Sequence, residues 1–238
     1  MPYLFINYIH FIVSKSYYIY MKKILFLGDS ITEGVGATSI DNCYVNKTCK
    51  YLNCVGKNYG VSGTRIAEQK ISHKGLISFD DSFFSRAKRM EKDADVVICF
   101  GGTNDYGHGD AIIGNKDDTD LYTFYGAINN LFTYLIEKYN KEKIIIILPL
   151  HRYEEDNLYG DDNSSRLHPT LNLLGYTNII IETAQKYGLF VVDFRQILGK
   201  PTSINNEGFF IDGLHPNDLG HDLLAKHLSK IIKERFEF

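Results

Sequence analysis

Ser30, Asp212 and His215 are the three side-chain types that together turn a neutral hydroxyl into a nucleophile. Ser30 closes the motif Gly28-Asp29-Ser30 behind an apolar run at residues 24–27. The acid and the histidine stand three residues apart in Asp212-Gly213-Leu214-His215-Pro216. Imidazole titrates near neutral pH, so it can take the serine proton and give it back. A carboxylate on one ring nitrogen fixes the tautomer and leaves the other nitrogen for the serine. The same residues also fit plain structural roles. Ser30 suits a helix N-cap, Asp212-Gly213 a turn, and Pro216 the start of a helix capped by His215. A phosphate-cradling loop over residues 28–36 would need a Gly-Lys-Ser/Thr ending, which this segment lacks.

Attack on a carbonyl also needs donors for the oxygen that becomes negative, each contributing roughly 3–4 kcal/mol. Three candidates are the backbone N–H of Ser30, the backbone N–H of Gly63 and the side-chain amide of Asn104. Gly63 has no Cβ, which permits close backbone approach, and the Asn104 amide donates at any pH. Taken singly, Gly63 suits a turn and Asn104 an Asx-turn. Their conjunction with Ser30 is what points to chemistry.

Such residues need a scaffold that brings distant segments to one edge. Apolar runs at residues 24–27, 95–100 and 144–148 predict strands, with a weaker strand over 54–61 and a fifth over 189–192. Spacings of three and four predict helices over 44–52, 121–139, 177–187 and 219–232. Residues 65–90 are expected to be helical in pieces, with a loop at 73–75, and Gly188 stands where a helix C-cap belongs. Strand and helix alternating five times predict an α/β fold with a doubly wound parallel sheet. Ligands in such sheets sit at the carboxyl ends of the strands. Ser30, Gly63 and Asn104 follow the first three strands and His215 lies beyond the fifth, so all four are expected on one edge.

Four blocks occur in order. They are Gly28-Asp29-Ser30-Ile31-Thr32, Asn58-Tyr59-Gly60-Val61-Ser62-Gly63, Gly101-Gly102-Thr103-Asn104-Asp105 and Asp212-Gly213-Leu214-His215-Pro216. As a set they resemble the SGNH hydrolases, also called GDSL-type esterases and lipases. The resemblance implies a three-layer α/β/α sandwich with a five-stranded, flavodoxin-like sheet. It implies Ser30 as nucleophile, His215 as general base and acid, and Asp212 as its orienting partner. Ser30, Gly63 and Asn104 would form the oxyanion hole, and no metal or cofactor is implied. His168-Pro169 is a second His-Pro pair, but Ser165 stands where the acid would be, so His215 is the expected base. Asp29, Tyr106, His108, His151 and Arg152 are candidate substrate contacts. The polar stretch 152–165 reads as a loop over the crevice, or as a solvated surface insertion.

Members of that family cleave esters and thioesters ranging from acetylated sugars to phospholipids. No long apolar lid follows Met21, and polar and aromatic residues dominate the strand ends. The expected substrate is therefore a small-molecule or carbohydrate ester, carrying a short acyl or O-acetyl group. The alternatives are a lysophospholipase or thioesterase-type acyl hydrolase, and a catalytically silent ligand-binding homologue.

The chain has 238 residues, 44% hydrophobic and 23% charged, which suits one α/β domain with a full core. A net charge of −3 and a pI of about 6.2, without a Lys/Arg cluster, exclude a nucleic-acid surface. Cys43, Cys49, Cys54 and Cys99 show no metal-site spacing and read as free thiols in a reducing cytoplasm. Residues 1–20 are rich in Tyr, Ile and Phe. They lack a positive n-region, Lys15 interrupts them and no small-residue cleavage site follows, so they do not read as a signal peptide. The run 2–13 is too short for a stable membrane span. We expect the working domain to cover residues 21–238. Residues 1–20 would then be an extension from a mis-set translation start or, alternatively, a weak membrane or partner anchor.

Overall fold

The computed structural model describes residues 21–71, 80–161, 168–205 and 208–238. Residues 1–20, the loop expected at 73–75 and the end of the 152–165 stretch lie outside them. Five strands form one parallel sheet: β1 Lys23–Gly28, β2 Val55–Gly60, β3 Val96–Phe100, β4 Ile144–Ile147 and β5 Phe190–Val192. The helices are α1 Ser30–Glu33, α2 Tyr44–Leu52, α3 Phe83–Arg89, α4 Thr103–His108, α5 Phe124–Tyr139, α6 Leu173–Tyr187, α7 Arg195–Leu198 and α8 Asp218–Arg235.

Side chains alternate across a strand, so β1 serves two cores. Leu25 and Leu27, with Val97, Cys99, Ile144 and Ile146, are buried with residues of α3, α5 and α6. Ile24 and Phe26, with Val96, Ile98, Ile145 and Ile147, are buried with residues of α2 and α8. The result is the expected α/β fold, with helices covering both faces of the sheet.

The strand order is β2-β1-β3-β4-β5. The chain leaves β1 to one side to make β2, then returns to the other side to make β3. This reversal opens a crevice between the segments that follow β1 and β3. Gly28 is paired with Gly60 on one side and Phe100 on the other. The three strands therefore end level, and the segments carrying Ser30, Gly63 and Asn104 leave the sheet at one height.

Some local expectations need correction. Residues 65–71 are irregular rather than helical, because the Asp105 carboxylate takes the Ile66 and Ala67 amides, both at 2.9 Å. In that region α3 is helical, started by Ser82, whose hydroxyl accepts from the Ser85 amide. The helix expected at 177–187, α6, begins at Leu173, because Asn172 caps it through the Gly175 amide. Gly188 ends it in the left-handed conformation, as its position predicts. All four cysteines are free, and Cys43, Cys54 and Cys99 are buried. Among the described residues, no helix is long and apolar enough to cross a membrane.

Candidate active site

Ser30 is the first residue of α1, directly past β1, and only 5% of its surface is exposed. First-turn amides of a helix have no intrahelical acceptor, so the Ser30 N–H is a donor available at the crevice. His215 reaches Ser30 from the far end of the chain. The residues around it form a hairpin, closed by Ile211 N–H to the His215 carbonyl at 2.9 Å and Asn217 N–H to the Phe209 carbonyl at 2.8 Å. Asp212 to Leu214 make its tip. Gly36 lets this hairpin dock beside α1: a Cβ there would lie 2.1 Å from the Pro216 carbonyl oxygen. Asp218 reinforces the junction by accepting from the Thr38 amide at 2.8 Å and its hydroxyl at 2.6 Å.

Within that frame His215 Nε2 lies 2.8 Å from Ser30 Oγ, and His215 Nδ1 lies 2.7 Å from Asp212 Oδ2. The other Asp212 oxygen accepts from the Leu214 amide at 3.1 Å and the His215 amide at 2.8 Å. Burial acts to raise the Asp212 pKa. Hydrogen bonds from the His215 ring and backbone outweigh it, and the carboxyl is held below its ordinary range. An ionised Asp212 can only accept, so Nδ1 carries the proton and Nε2 is left to accept from the Ser30 hydroxyl. His168 is exposed and takes no part in this contact.

Gly63 and Asn104 meet through Thr64. The turn from Val61 to Thr64 is closed by Thr64 N–H at 3.4 Å and Thr64 Oγ1 at 2.7 Å, both donating to the Val61 carbonyl. Gly63 sits inside it with φ +73°, a left-handed conformation that favours glycine. Asn104, 4% exposed in the first turn of α4, donates one amide hydrogen to the Thr64 carbonyl at 3.0 Å. Its second amide hydrogen remains available.

Among the candidate substrate contacts, three turn inward. Asp29 is 1% exposed and caps α1 by accepting from the Ile31 amide at 3.1 Å. Burial pushes its pKa up to about 6, against that hydrogen bond and the charges of His215 and Arg86. Tyr106 is fully buried, and its hydroxyl donates to the Glu154 and Asn157 carbonyls. Arg152 is buried as well, pairing with Asp161 at 3.0 Å and donating to the Thr103 carbonyl at 3.3 Å. The remaining two are half-buried. His108 Nδ1 lies 3.1 Å from Arg65, and His151 Nδ1 lies 2.8 Å from Glu155. The segment 152–161 folds back on the scaffold through Tyr153 N–H to the Gly213 carbonyl at 2.7 Å and Asp161 N–H to Gly107 at 2.9 Å.

Two residues with no expected role also shape the crevice. Glu33, the last residue of α1, accepts from the Ser62 amide at 2.7 Å and from the Ser62 hydroxyl. Asp105 holds residues 66 and 67, and burial raises its pKa to about 6 against those hydrogen bonds. Its signal in the sequence was an acid directly beside Asn104. Among the described residues, no group of three or more His, Cys, Asp or Glu could hold a metal ion.

Residues 26–223 match the model of the GDSL-like lipase/acylhydrolase family. The chain belongs to that family. Membership supports an ester-hydrolysing activity for this GDSL-like protein. A Lactobacillus plantarum protein of known structure is 24% identical, with a TM-score of 0.71 over 91% of this chain and 98% of that one. A lipase/acylhydrolase from Enterococcus faecalis is 21% identical, with a TM-score of 0.59 over 90% and 97%. A possible lipase from Chitinophaga pinensis is 20% identical, with a TM-score of 0.60 over 89% and 98%. At these identities the likeness shows the shared fold. No curated protein sequence matches this GDSL-like chain.

Proposed function

We propose that the protein is a serine esterase in which Ser30, His215 and Asp212 form the catalytic triad. The observation that carries this reading is the relay of 2.8 Å from Ser30 Oγ to His215 Nε2 and 2.7 Å from His215 Nδ1 to Asp212. Ser30 Oγ attacks the ester carbonyl carbon as its proton passes to His215 Nε2. The carbonyl oxygen becomes an oxyanion, received by the Ser30 amide, the Gly63 amide and the Asn104 side chain. His215, now positive beside ionised Asp212, returns the proton to the leaving alkoxide, and an acyl-Ser30 ester remains. Water then attacks that ester with His215 again as base, releasing the acid and restoring the serine.

Short acyl or O-acetyl carbohydrate esters are the favoured substrates, because the segment beyond β4 presents polar groups such as His151 and Glu155. A lysophospholipase or thioesterase-type reading draws on other side chains of the same region. Leu158, Tyr159 and Leu174 are each about half exposed. A chain-length series of acyl esters beside acetylated sugars separates the two. We read residues 21–238 as the catalytic unit.

The test is labelling with a fluorophosphonate probe and turnover of p-nitrophenyl acetate. Both should be present in the wild-type protein and absent from Ser30→Ala. A wild-type protein that neither labels nor hydrolyses any ester of the series is a silent binding homologue instead.

A further inference from the structure

We propose that Arg86 is a positioning residue that fixes the spacing between the two backbone amides of the oxyanion hole, Ser30 and Gly63. The inference rests on the esterase reading above and assigns its rate to a group that never meets substrate.

Arg86 lies on α3 among the apolar positions Phe83, Ala87 and Met90, and it is 3% exposed. A guanidinium buried this way is costly unless its donors are met. Nη1 donates to the Gly28 carbonyl at 2.6 Å and to the Tyr59 carbonyl. Nη2 donates to the Thr64 hydroxyl at 2.7 Å, and Nε donates to the Asp81 carbonyl at 3.0 Å. Burial pulls the group down to about 10, opposed by the charges of Asp81 and Asp29, so it stays cationic at neutral pH.

The choice of acceptors is what gives these contacts a catalytic consequence. Gly28 ends β1 two residues before Ser30, Tyr59 lies next to the end of β2, and Thr64 directly follows Gly63. One rigid planar fork thus grips both sides of the gap that an oxyanion would enter. The grip continues through Thr64, whose hydroxyl donates onward to the Val61 carbonyl at 2.7 Å and so closes the turn holding Gly63. Asn104, the third donor, bonds the Thr64 carbonyl at 3.0 Å. All three donors are therefore referenced to the Arg86 plane. Misplacing such a donor by about 1 Å can cost on the order of 100-fold in rate.

The test compares wild type, Ser30→Ala, Arg86→Lys, Thr64→Val and Thr64→Ser for kcat, KM, melting temperature and affinity for a boronic acid that mimics the tetrahedral intermediate. Thr64→Val keeps the guanidinium and removes its hydroxyl acceptor together with the onward bond to the Val61 carbonyl, so it tests the whole link from Arg86 to the Gly63 turn even if Arg86→Lys fails to fold. We expect Thr64→Val to lose about tenfold or more in kcat, with KM within about twofold. Boronate affinity should fall by the same factor as kcat/KM, and Thr64→Ser should retain wild-type kcat. A folded Thr64→Val with wild-type kcat and boronate affinity overturns the role of Arg86, even where it melts earlier. If wild type is active and Ser30→Ala is not, that result leaves the esterase reading standing. An inactive wild type overturns both.

Discussion

The Glu33 carboxylate accepts the Ser62 amide at 2.7 Å, so the helix that begins at Ser30 and the turn that contains Gly63 are tied together at the crevice surface. Glu33 is exposed, and a single hydrogen bond of this kind contributes modestly to stability, about 1 kcal/mol. Its larger effect should be on geometry. Glu33→Ala is expected to lower kcat about three- to tenfold while KM and melting temperature change little. Steady-state kinetics and a thermal melt on the same preparation check this.

Asp212 has one oxygen fixed by the Leu214 and His215 amides and the other facing the ring. In Asp212→Asn the amide oxygen must stay with the two backbone donors, so the NH₂ group turns toward Nδ1. That forces the ring proton onto Nε2, where it points at Ser30 instead of accepting from it. We expect kcat to fall by on the order of 10³–10⁴ with the fold intact. Near-wild-type turnover in a folded variant would sink the assignment of Asp212.

Activity and stability should part company on acidification. Activity falls because a protonated His215 cannot accept the Ser30 proton. Asp29 and Asp105 have folded pKa values of about 6, above the ordinary 3.8. Their burial is therefore least costly when protonated, and stability is gained as pH falls through about 6 toward 4. Asp222 is held down at about 2 by Lys226, Tyr51 and Lys47, against a raising effect of burial, so its contribution is present above about 4 and lost below. The melting temperature should hold or rise between pH 7 and 5 and then fall below pH 4, whereas kcat/KM should only fall on acidification. Asp105→Asn should remove part of that rise.

Arg152 is buried against Asp161, Thr103 and the Tyr106 ring, so its removal should act on folding more than on substrate. Arg152→Met removes the ion pair to Asp161 and the donors to Thr103 and should destabilise by about 1–3 kcal/mol. KM should stay within about twofold of wild type. A large KM increase without loss of stability would return Arg152 to the substrate site.

The strands and the pair Ser30 and His215 were legible because they rest on local signals. Continuous apolar runs such as residues 144–147 specify buried parallel strands, and Asp212 and His215 sit within one turn of each other. Asp29 shows where such signals stop. A carboxylate beside Ser30 reads as a substrate contact, yet capping α1 took it inward. Residues 65–71 read as helix because their propensity was judged without Asp105, which lies some forty positions away. Arg86 left a trace that could have been read, a charge at i+3 on a stripe of Phe83, Ala87 and Met90. Its long-range acceptors are the Gly28 and Tyr59 carbonyls and the Thr64 hydroxyl, 22–58 residues distant, and no sequence pattern marks a carbonyl.

Ser30 and His215 are separated by 185 positions. His215 is delivered by α8, which docks on α2 through His221 accepting the Tyr44 amide at 3.2 Å and Lys47 pairing with Asp222 at 3.1 Å. Ser30 thus leaves the ribosome well before His215. On the proposed mechanism a nascent chain cannot cut esters until α8 has closed on α2. Return of turnover during refolding should consequently report the docking of α8 on α2.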